Sequence, residues 1–195
     1  MQNRMTKKDT DRKTLRIALA ANVTMFVIGI VGWIVAQSTG LLADAFDMLA
    51  DASGYALAFV AVGRSKEFQK NAARWNGAML ILLGVGVIGE VVHRWISGSE
   101  PQGVFIIGFS LLSLAVNGAV LTMLSKYRHA QEVHLRATWL DTRADVWVNI
   151  SVLLSGAAIA LTGYRYIDLI TGFGISVYVI REGVEIFREA NNSAD

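Results

Sequence analysis

The sequence predicts an all-α, polytopic membrane protein with six transmembrane helices. Of its 195 residues, 53% are hydrophobic and 17% are charged, whereas soluble domains have about 45–50% apolar and about 25% charged residues. The apolar residues form six long runs separated by short polar segments. Each run has at least the roughly 20 residues that a helix needs to cross the hydrocarbon core. The runs do not alternate with a period of two, which the strands of a membrane barrel would require.

Polar segments set the limits of each predicted span. We predict the six spans, in chain order, at residues 15–37, 41–63, 76–96, 103–124, 135–162 and 167–187. The connections between them are residues 37–40, 64–74, 97–102, 126–134 and 163–166. The predicted organisation is therefore a cytoplasmic segment 1–14, a six-helix transmembrane domain 15–189 and a short cytoplasmic tail 190–195. The 18 glycines suit helices that pack closely in lipid.

The distribution of basic residues predicts the orientation. Fifteen of the 18 lysines and arginines fall in the N-terminal segment, the second and fourth connections and the C-terminal end. The opposite side has only Arg94 and Arg165, and Arg143 lies inside the fifth span. Because basic residues concentrate on the cytoplasmic side, we expect both termini in the cytoplasm and a multi-pass protein of the inner or plasma membrane. The basic residues form no continuous stripe, so nucleic acid is not an expected partner.

Two spans carry pairs of carboxylates at membrane depth. Asp47 and Asp51 lie in the second span, and Asp141 and Asp145 lie in the fifth. A spacing of four residues puts each pair on one helical face. Asp51 and Asp145 each lie ten residues inside their span, about 15 Å deep at a rise of 1.5 Å per residue. Since the two spans run in opposite directions, both pairs reach the same level near the membrane midplane.

Four carboxylates at that level require a cation or protons to neutralise them. A divalent metal ion would do so, and its binding would release protons. The sequence has no cysteine, so thiolate ligands are excluded and a metal site must use oxygen or imidazole. These residues therefore predict a site for a divalent cation in a membrane transporter.

Three further polar residues are possible auxiliary members of the site. Asp44 shares the helical face of the second-span pair, although it could instead cap the helix or pair with a cation. Asn149 shares the face of the fifth-span pair, and Asn117 lies in the fourth span. Either asparagine could be a ligand or could hydrogen-bond one helix to another.

Three segments resemble a known family. The segment 40–51 (GLLADAFDMLAD) resembles the second-helix signature of the cation diffusion facilitators, the cation efflux family, and the segment 135–145 (LRATWLDTRAD) resembles their fifth-helix signature. The segment 166–172 (YIDLITG) is similar to the start of their sixth helix, and Asn117 falls where their fourth helix often has asparagine. The resemblance covers nearly the whole chain, which is identified as a short member lacking the C-terminal cytoplasmic domain.

The resemblance implies a transporter rather than an enzyme. It implies export of a divalent metal ion from the cytoplasm by alternating access, in a homodimer, driven by inward flow of protons. It also implies a tetrahedral site for the ion made by Asp47, Asp51, Asp141 and Asp145, with no cofactor besides the transported metal. Zinc-selective members often have histidine first in one or both pairs. Aspartate at both positions is similar to members that move manganese or iron, so manganese, iron or zinc is the expected cargo.

Two other functions are consistent with membrane-embedded aspartates. An aspartyl intramembrane protease also uses two aspartates on neighbouring helices, within a Gly-x-Gly-Asp motif. In this sequence Gly172-Phe173-Gly174 is followed by Ile175, so the catalytic acid of that motif is missing. A non-transporting membrane scaffold would not need four carboxylates at one depth.

Overall fold

The computed structural model of the protein describes residues 2–61, 65–129 and 133–192. Its helices, in chain order, are α1 Gln2–Ala36, α2 Thr39–Ala61, α3 Lys66–Ser97, α4 Gly103–Leu124, α5 Val133–Thr162 and α6 Tyr166–Asn192. A 3₁₀ turn, Ser125–Tyr127, follows α4. The described ranges contain no strand, so the prediction of an all-α fold is confirmed.

The helices are longer than the predicted spans. α1 begins at Gln2 rather than at residue 15, and α3 begins at Lys66 rather than at residue 76. Apolar content defines where a chain lies in hydrocarbon, but a helix continues beyond it wherever polar residues with good helix propensity follow. The predicted cytoplasmic segment 1–14 is therefore mostly an extension of α1.

The six helices differ in polarity. Among the described residues, four helical segments are long and apolar enough to cross a membrane: Arg12–Ala36, Lys66–Ser97, Gly103–Tyr127 and Trp139–Thr162. α2 and α6 are more polar, since α2 carries three aspartates and α6 carries Arg181 and Glu182 within its length. α2 packs against α1, α3, α5 and α6, and every residue from 38 to 45 is buried. The polar helix thus lies inside the bundle.

The outer surface of the bundle is apolar. Leu82, Val104 and Leu161 are 72–87% exposed, and many other large hydrophobic side chains point outward. Buried positions include many polar groups, among them Asn22, Asn117 and Asn149. This distribution, with apolar groups outside and polar groups inside, is the one that a lipid environment favours. It supports the polytopic membrane fold.

Close helix contacts hold the bundle together. The most extensive contacts pair α3 with α6, α4 with α5 and α1 with α2. Gly77 of α3 lies against Gly183 of α6, where a Cβ atom on Gly77 would come within 2.6 Å of the Gly183 carbonyl oxygen. The backbones of these two helices therefore touch, as is common where lipid supplies no hydrophobic driving force between helices.

The bundle has two distinct ends. We call the end that carries the connections 37–38, 98–102 and 163–165 the turn end, and the end where α2, α4 and α6 terminate the termini end. At the turn end the Gln102 amide donates to the Ala36 carbonyl oxygen at 2.8 Å. The Arg94 guanidinium donates to the carbonyl oxygen of Gln37, whose φ of 50° makes the tight reversal between α1 and α2. Three connections thus meet at one end of an antiparallel bundle.

Candidate metal site

The four predicted ligands lie on the facing sides of α2 and α5. Asp47 and Asp145 are only 4% and 6% exposed. Asp51 is half-buried and Asp141 is exposed. Since α5 begins at the termini end and α2 finishes there, Asp141 and Asp51 are the members of their pairs nearer that end. Exposure of the acidic residues therefore increases toward the termini end.

The two acidic pairs meet through one member of each. The carboxyls of Asp51 and Asp145 lie close enough to share a hydrogen bond when one of them carries a proton, and Asn22 Nδ2 of α1 donates to Asp51 Oδ2 at 3.5 Å. Asp47 lies within electrostatic range of Asp51 and Asp141. In the described part of the chain, however, no three histidine, cysteine, aspartate or glutamate side chains are grouped closely enough to hold one metal ion. A four-ligand site requires Asp47 and Asp141 to move toward the central pair.

Polar contacts continue along the α2–α5 interface on both sides of this pair. From the turn end to the termini end, they join Asn149 with Asp44, Asp145 with Asp51, and Thr142 with Tyr55. The series runs forward along α2 and backward along α5, as antiparallel helices require. This register is what brings the two acidic pairs to one level.

Asp44 lies in a buried hydrogen-bonded group and does not cap its helix. Asn149 Nδ2 donates to Asp44 Oδ1 at 2.5 Å, and Ser113 Oγ of α4 donates to Asp44 Oδ2 at 3.3 Å. Asn117 Nδ2 donates in turn to Asn149 Oδ1 at 3.0 Å. The alternative of a capping residue near the membrane surface is wrong, because Asp44 is only 2% exposed and joins α2 to α4 and α5.

The cap of α2 is instead supplied by Asp168 of α6. The Asp168 carboxylate, which is fully buried, accepts from the Thr39 amide at 2.6 Å and the Gly40 amide at 3.2 Å. It also accepts from the hydroxyls of Ser38 at 2.5 Å and Thr39 at 2.8 Å. A carboxylate at a helix N-terminus satisfies amides that have no partner inside the helix. The sequence contained this residue in the segment 166–172 but gave no sign of its partner.

One carboxylate of α6 lies near the site and was not predicted. Glu182 is half-buried and lies within electrostatic range of Asp51 and Asp141, and also of Asp47 and Asp145. The signal in the sequence was an acidic residue inside the predicted sixth span, between residues 167 and 187. Because Glu182 lies toward the end of that span, the sequence did not predict that it would be close to the α2 and α5 aspartates.

The chemistry of this group of side chains favours a hard cation. All candidate ligands are carboxylates, and carboxylate oxygens suit manganese, magnesium and calcium as well as zinc. The described residues place no histidine among them, because His93 and His129 lie in exposed positions on α3 and after α4. His134 lies in a part of α5 whose side chains are outside the described residues.

Several curated transporters are similar to this chain. The zinc transporter ZitB of Yersinia pestis is 27% identical over 195 residues, covering 94% of this chain and 62% of the relative. The metal cation efflux system protein CzcD of Cupriavidus metallidurans is 24% identical over 184 residues, covering 87% and 57% respectively. A cadmium, cobalt and zinc/H⁺–K⁺ antiporter of Bacillus subtilis is 23% identical over 193 residues, covering 92% and 62%. The chain thus spans about three fifths of the length of these relatives.

The relatives are named as transporters rather than as enzymes, which sets aside the intramembrane protease. The family model described as the cation efflux transmembrane domain matches residues 15–193, almost the whole chain. The matched region contains both acidic pairs, the Asp44 group and the Asp168 cap. The chain belongs to the cation efflux family.

Proposed function

We propose that the protein exports a divalent transition-metal ion from the cytoplasm in exchange for protons. The family supports transport of a divalent cation, and the relatives named above are described as moving zinc, cadmium and cobalt. One of them is described as exchanging these metals for H⁺ and K⁺. The all-carboxylate character of the candidate ligands supports a cargo from the manganese, iron or zinc class.

We assign the ion to Asp47, Asp51, Asp141 and Asp145. The observation that carries the assignment is the contact between Asp51 and Asp145, because it joins the two pairs across the α2–α5 interface. A divalent ion would replace the mutual repulsion of these carboxylates with attraction, and would draw Asp47 and Asp141 inward. When the ion leaves, protons take over the neutralisation. This exchange of one cation for protons is the elementary step of an antiporter.

We further propose that all six helices span the membrane, with the termini end in the cytoplasm. The polar helices α2 and α6 are accommodated because they pack among the four apolar helical segments. Asp141 is then exposed on the cytoplasmic side, where cargo would enter, whereas Asp44 is buried toward the opposite side. Compartment-sensitive reporters fused at each end of the chain should both read cytoplasmic, and a reading from the other side at either end would contradict this orientation.

We propose that the protein forms a homodimer in the lipid bilayer. The family resemblance supports this assembly, and the apolar outer surface offers room for a second copy beside lipid. In this proposal each protomer carries its own set of four aspartates, so transport does not require a ligand shared between copies.

Metal flux in proteoliposomes tests the proposed function. Purified protein should carry manganese, iron(II), cobalt, zinc or cadmium in the direction opposite to the proton flow that an imposed pH gradient drives. Alanine at position 47, 51, 141 or 145 should abolish flux while the protein still inserts, because losing one ligand leaves an incomplete shell. Glu100→Gln, which changes an exposed carboxylate in a turn, is the matched control and should transport normally. Retained flux in two of the four alanine variants would refute the assigned site.

A further inference from the structure

Two arginines near the termini end contact one indole ring. Arg128 follows the 3₁₀ turn after α4, and Arg143 lies in α5. The guanidinium carbon of Arg128 lies 5.6 Å from the centroid of the Trp139 ring, and that of Arg143 lies 5.8 Å from it. A cation is attracted to an aromatic face at distances up to about 6 Å. We call these three residues the arginine–tryptophan group.

The indole of this group is held in place by the protein core. Trp139 is half-buried and packs against a buried cluster at the termini end that includes Leu124 and Tyr127. Arg143 lies four residues after Trp139, and helical side chains lean toward the N-terminus of their helix, so Arg143 reaches back over the ring. Arg128 comes from the end of α4, which packs along α5. Two separate elements therefore bring their guanidiniums to one fixed ring.

The arginine–tryptophan group lies where the hydrocarbon ends. α4 has no charged residue from Gly103 to Leu124, and the apolar segment continues to Tyr127, directly before Arg128. Its contact with Arg128 puts the Trp139 ring at the same level, where tryptophan concentrates in membrane proteins. Arg143 starts about 6 Å deeper, at a rise of 1.5 Å per residue, and its side chain returns to that level. Both guanidiniums thus lie at the level of the lipid headgroups.

The group faces lipid and not the interior of the bundle. Both arginines are exposed. Leu140 and Trp147, three residues before and four residues after Arg143, are 45% and 62% exposed, so Arg143 belongs to the outer apolar face of α5. Asp141 and Asp145 are each two residues from Arg143, which is a rotation of about 200° around the helix. Arg143 therefore lies on the side of α5 opposite to the proposed metal ligands.

The charges of the two arginines are not matched by a carboxylate. The ion pairs of the described region join Glu90 with Arg94 and His93, and none in the described ranges includes Arg128 or Arg143. A guanidinium that stacks on an aromatic face keeps its N–H donors at the edge of its plane. These donors match the oxygens of a phosphate group, which guanidinium binds through two parallel hydrogen bonds.

We propose that the arginine–tryptophan group binds the phosphate of one anionic phospholipid. The headgroup then meets the two guanidiniums, and the acyl chains lie along the outer face of α5 that Leu140 and Trp147 form. A zwitterionic headgroup carries its own ammonium group, so it offers less net charge to two arginines. A free phosphate ion has the same oxygens, but it has no chains to contact the apolar face below them.

Competition between two lipids tests the proposal by native mass spectrometry of the purified full chain in a nonionic detergent. Phosphatidylglycerol and phosphatidylcholine with identical acyl chains are added in equal amounts, and wild-type protein should retain one phosphatidylglycerol in preference. Arg128→Gln and Arg143→Gln should each reduce this preference about fivefold, and the double variant about 25-fold, as expected for losing one or two attractions to an anionic lipid. Binding requires no metal, so the result is independent of the proposed transport.

Two further variants distinguish a defined site from general surface charge. Trp139→Leu keeps both charges but removes the ring, and it should reduce the preference about threefold, because the guanidiniums lose their common support. Lys66→Gln/Lys70→Gln removes two charges at the same end of the bundle, from the first turns of α3. This matched control should retain the wild-type preference, and preincubation with excess inorganic phosphate should not displace the phosphatidylglycerol.

Four results would overturn the proposal. Wild-type protein that retains the two lipids equally has no such site, and neither has a monodisperse double arginine variant with unchanged preference. A loss in the lysine control as large as that in the arginine variant would assign the preference to surface charge alone. Displacement by inorganic phosphate would assign the arginines to a free anion. If the double variant does not remain monodisperse, Arg128→Gln decides, because Arg128 is exposed and lies outside α4 and α5.

Discussion

The two halves of the α2–α5 interface are built differently. Toward the turn end, Asp44 is 2% exposed and bonded to Asn149 and Ser113, and Asp168 fixes the first turn of α2. Toward the termini end, Asp51 is half-buried, Asp141 is exposed, and Glu182 adds another carboxylate nearby. One half is a closed hydrogen-bonded network, and the other is an accessible group of acidic side chains. This difference supports our proposal that the transported cation reaches the aspartates from the termini end.

Thiol labelling should reveal the largest contrast between the two halves. The chain has no cysteine, so single cysteines report without background. Asp141→Cys should react readily with a small charged thiol reagent added at the termini end. Ser113→Cys should react about 100-fold more slowly, which corresponds to a local opening free energy of about 3 kcal/mol. Glu100→Cys, exposed at the turn end, should react only from the opposite side. Equal rates at positions 113 and 141 would remove the distinction between the halves.

Removing the Asp168 cap should destabilise the closed half. Asp168→Ala leaves the amides of Thr39 and Gly40 and two hydroxyls without their acceptor, at a cost of about 3 kcal/mol. Asp168→Asn keeps one acceptor oxygen and should cost less. Thermal unfolding in detergent measures both variants. If Asp168→Ala unfolds at the same midpoint temperature as the wild type, the cap does not stabilise the closed half.

Neutralising Glu182 should affect the accessible half more mildly. If Glu182 attracts the cation without ligating it, Glu182→Gln should raise the KM for metal by about threefold and leave the maximal flux unchanged. The increase should shrink at high ionic strength, because salt screens the attraction between Glu182 and an approaching cation. Glu185→Gln, which changes an exposed acid one turn away, serves as the control. A loss of maximal flux in Glu182→Gln would instead make this residue a ligand.

Replacing an aspartate of the site with histidine should change the preference among metals, and we expect this effect to be the smallest of the four. Asp47→His or Asp141→His introduces imidazole, which favours zinc over manganese and iron. Competition uptake from equal concentrations of these metals should therefore tilt toward zinc in both variants, relative to wild type. If wild-type protein moves zinc alone and neither histidine variant changes the ratio of zinc to manganese and iron taken up, the identity of the ligand does not set selectivity.

The sequence predicted the fold because long apolar runs have few alternatives in a membrane. The six runs matched the six long helices, and the family resemblance agreed with the match to residues 15–193. The predicted helix ends were less accurate. α3 begins at Lys66 rather than at residue 76, since apolar content does not mark where the polar part of a helix begins. Only four helical segments of the described chain are apolar enough to span a membrane by their own composition. The other two long helices, α2 and α6, carry charged residues that lower their hydropathy.

The sequence was less informative about contacts between distant residues. The spacing of Asp51 and Asp145 within their helices predicted that the two acidic pairs would lie at one level, because helical periodicity and span direction fix both depth and face. The bonds of Asp168 to residues 38–40 depend on how α6 packs against α2, which no local pattern encodes. The burial of Asp44 likewise depends on Ser113 and Asn149, which lie 69 and 105 residues away.

The central claim is that aspartates of α2 and α5 together hold the transported ion. Zinc K-edge absorption on purified protein loaded with substoichiometric Zn²⁺ tests it directly, with Asp51→Asn/Asp145→Asn protein as the comparison. We expect a shell made of oxygen atoms alone, at about 2.0–2.2 Å, and loss of the bound metal in the double variant. Imidazole scattering from His93, His129 or His134, or an unchanged spectrum in the double variant, would contradict the account.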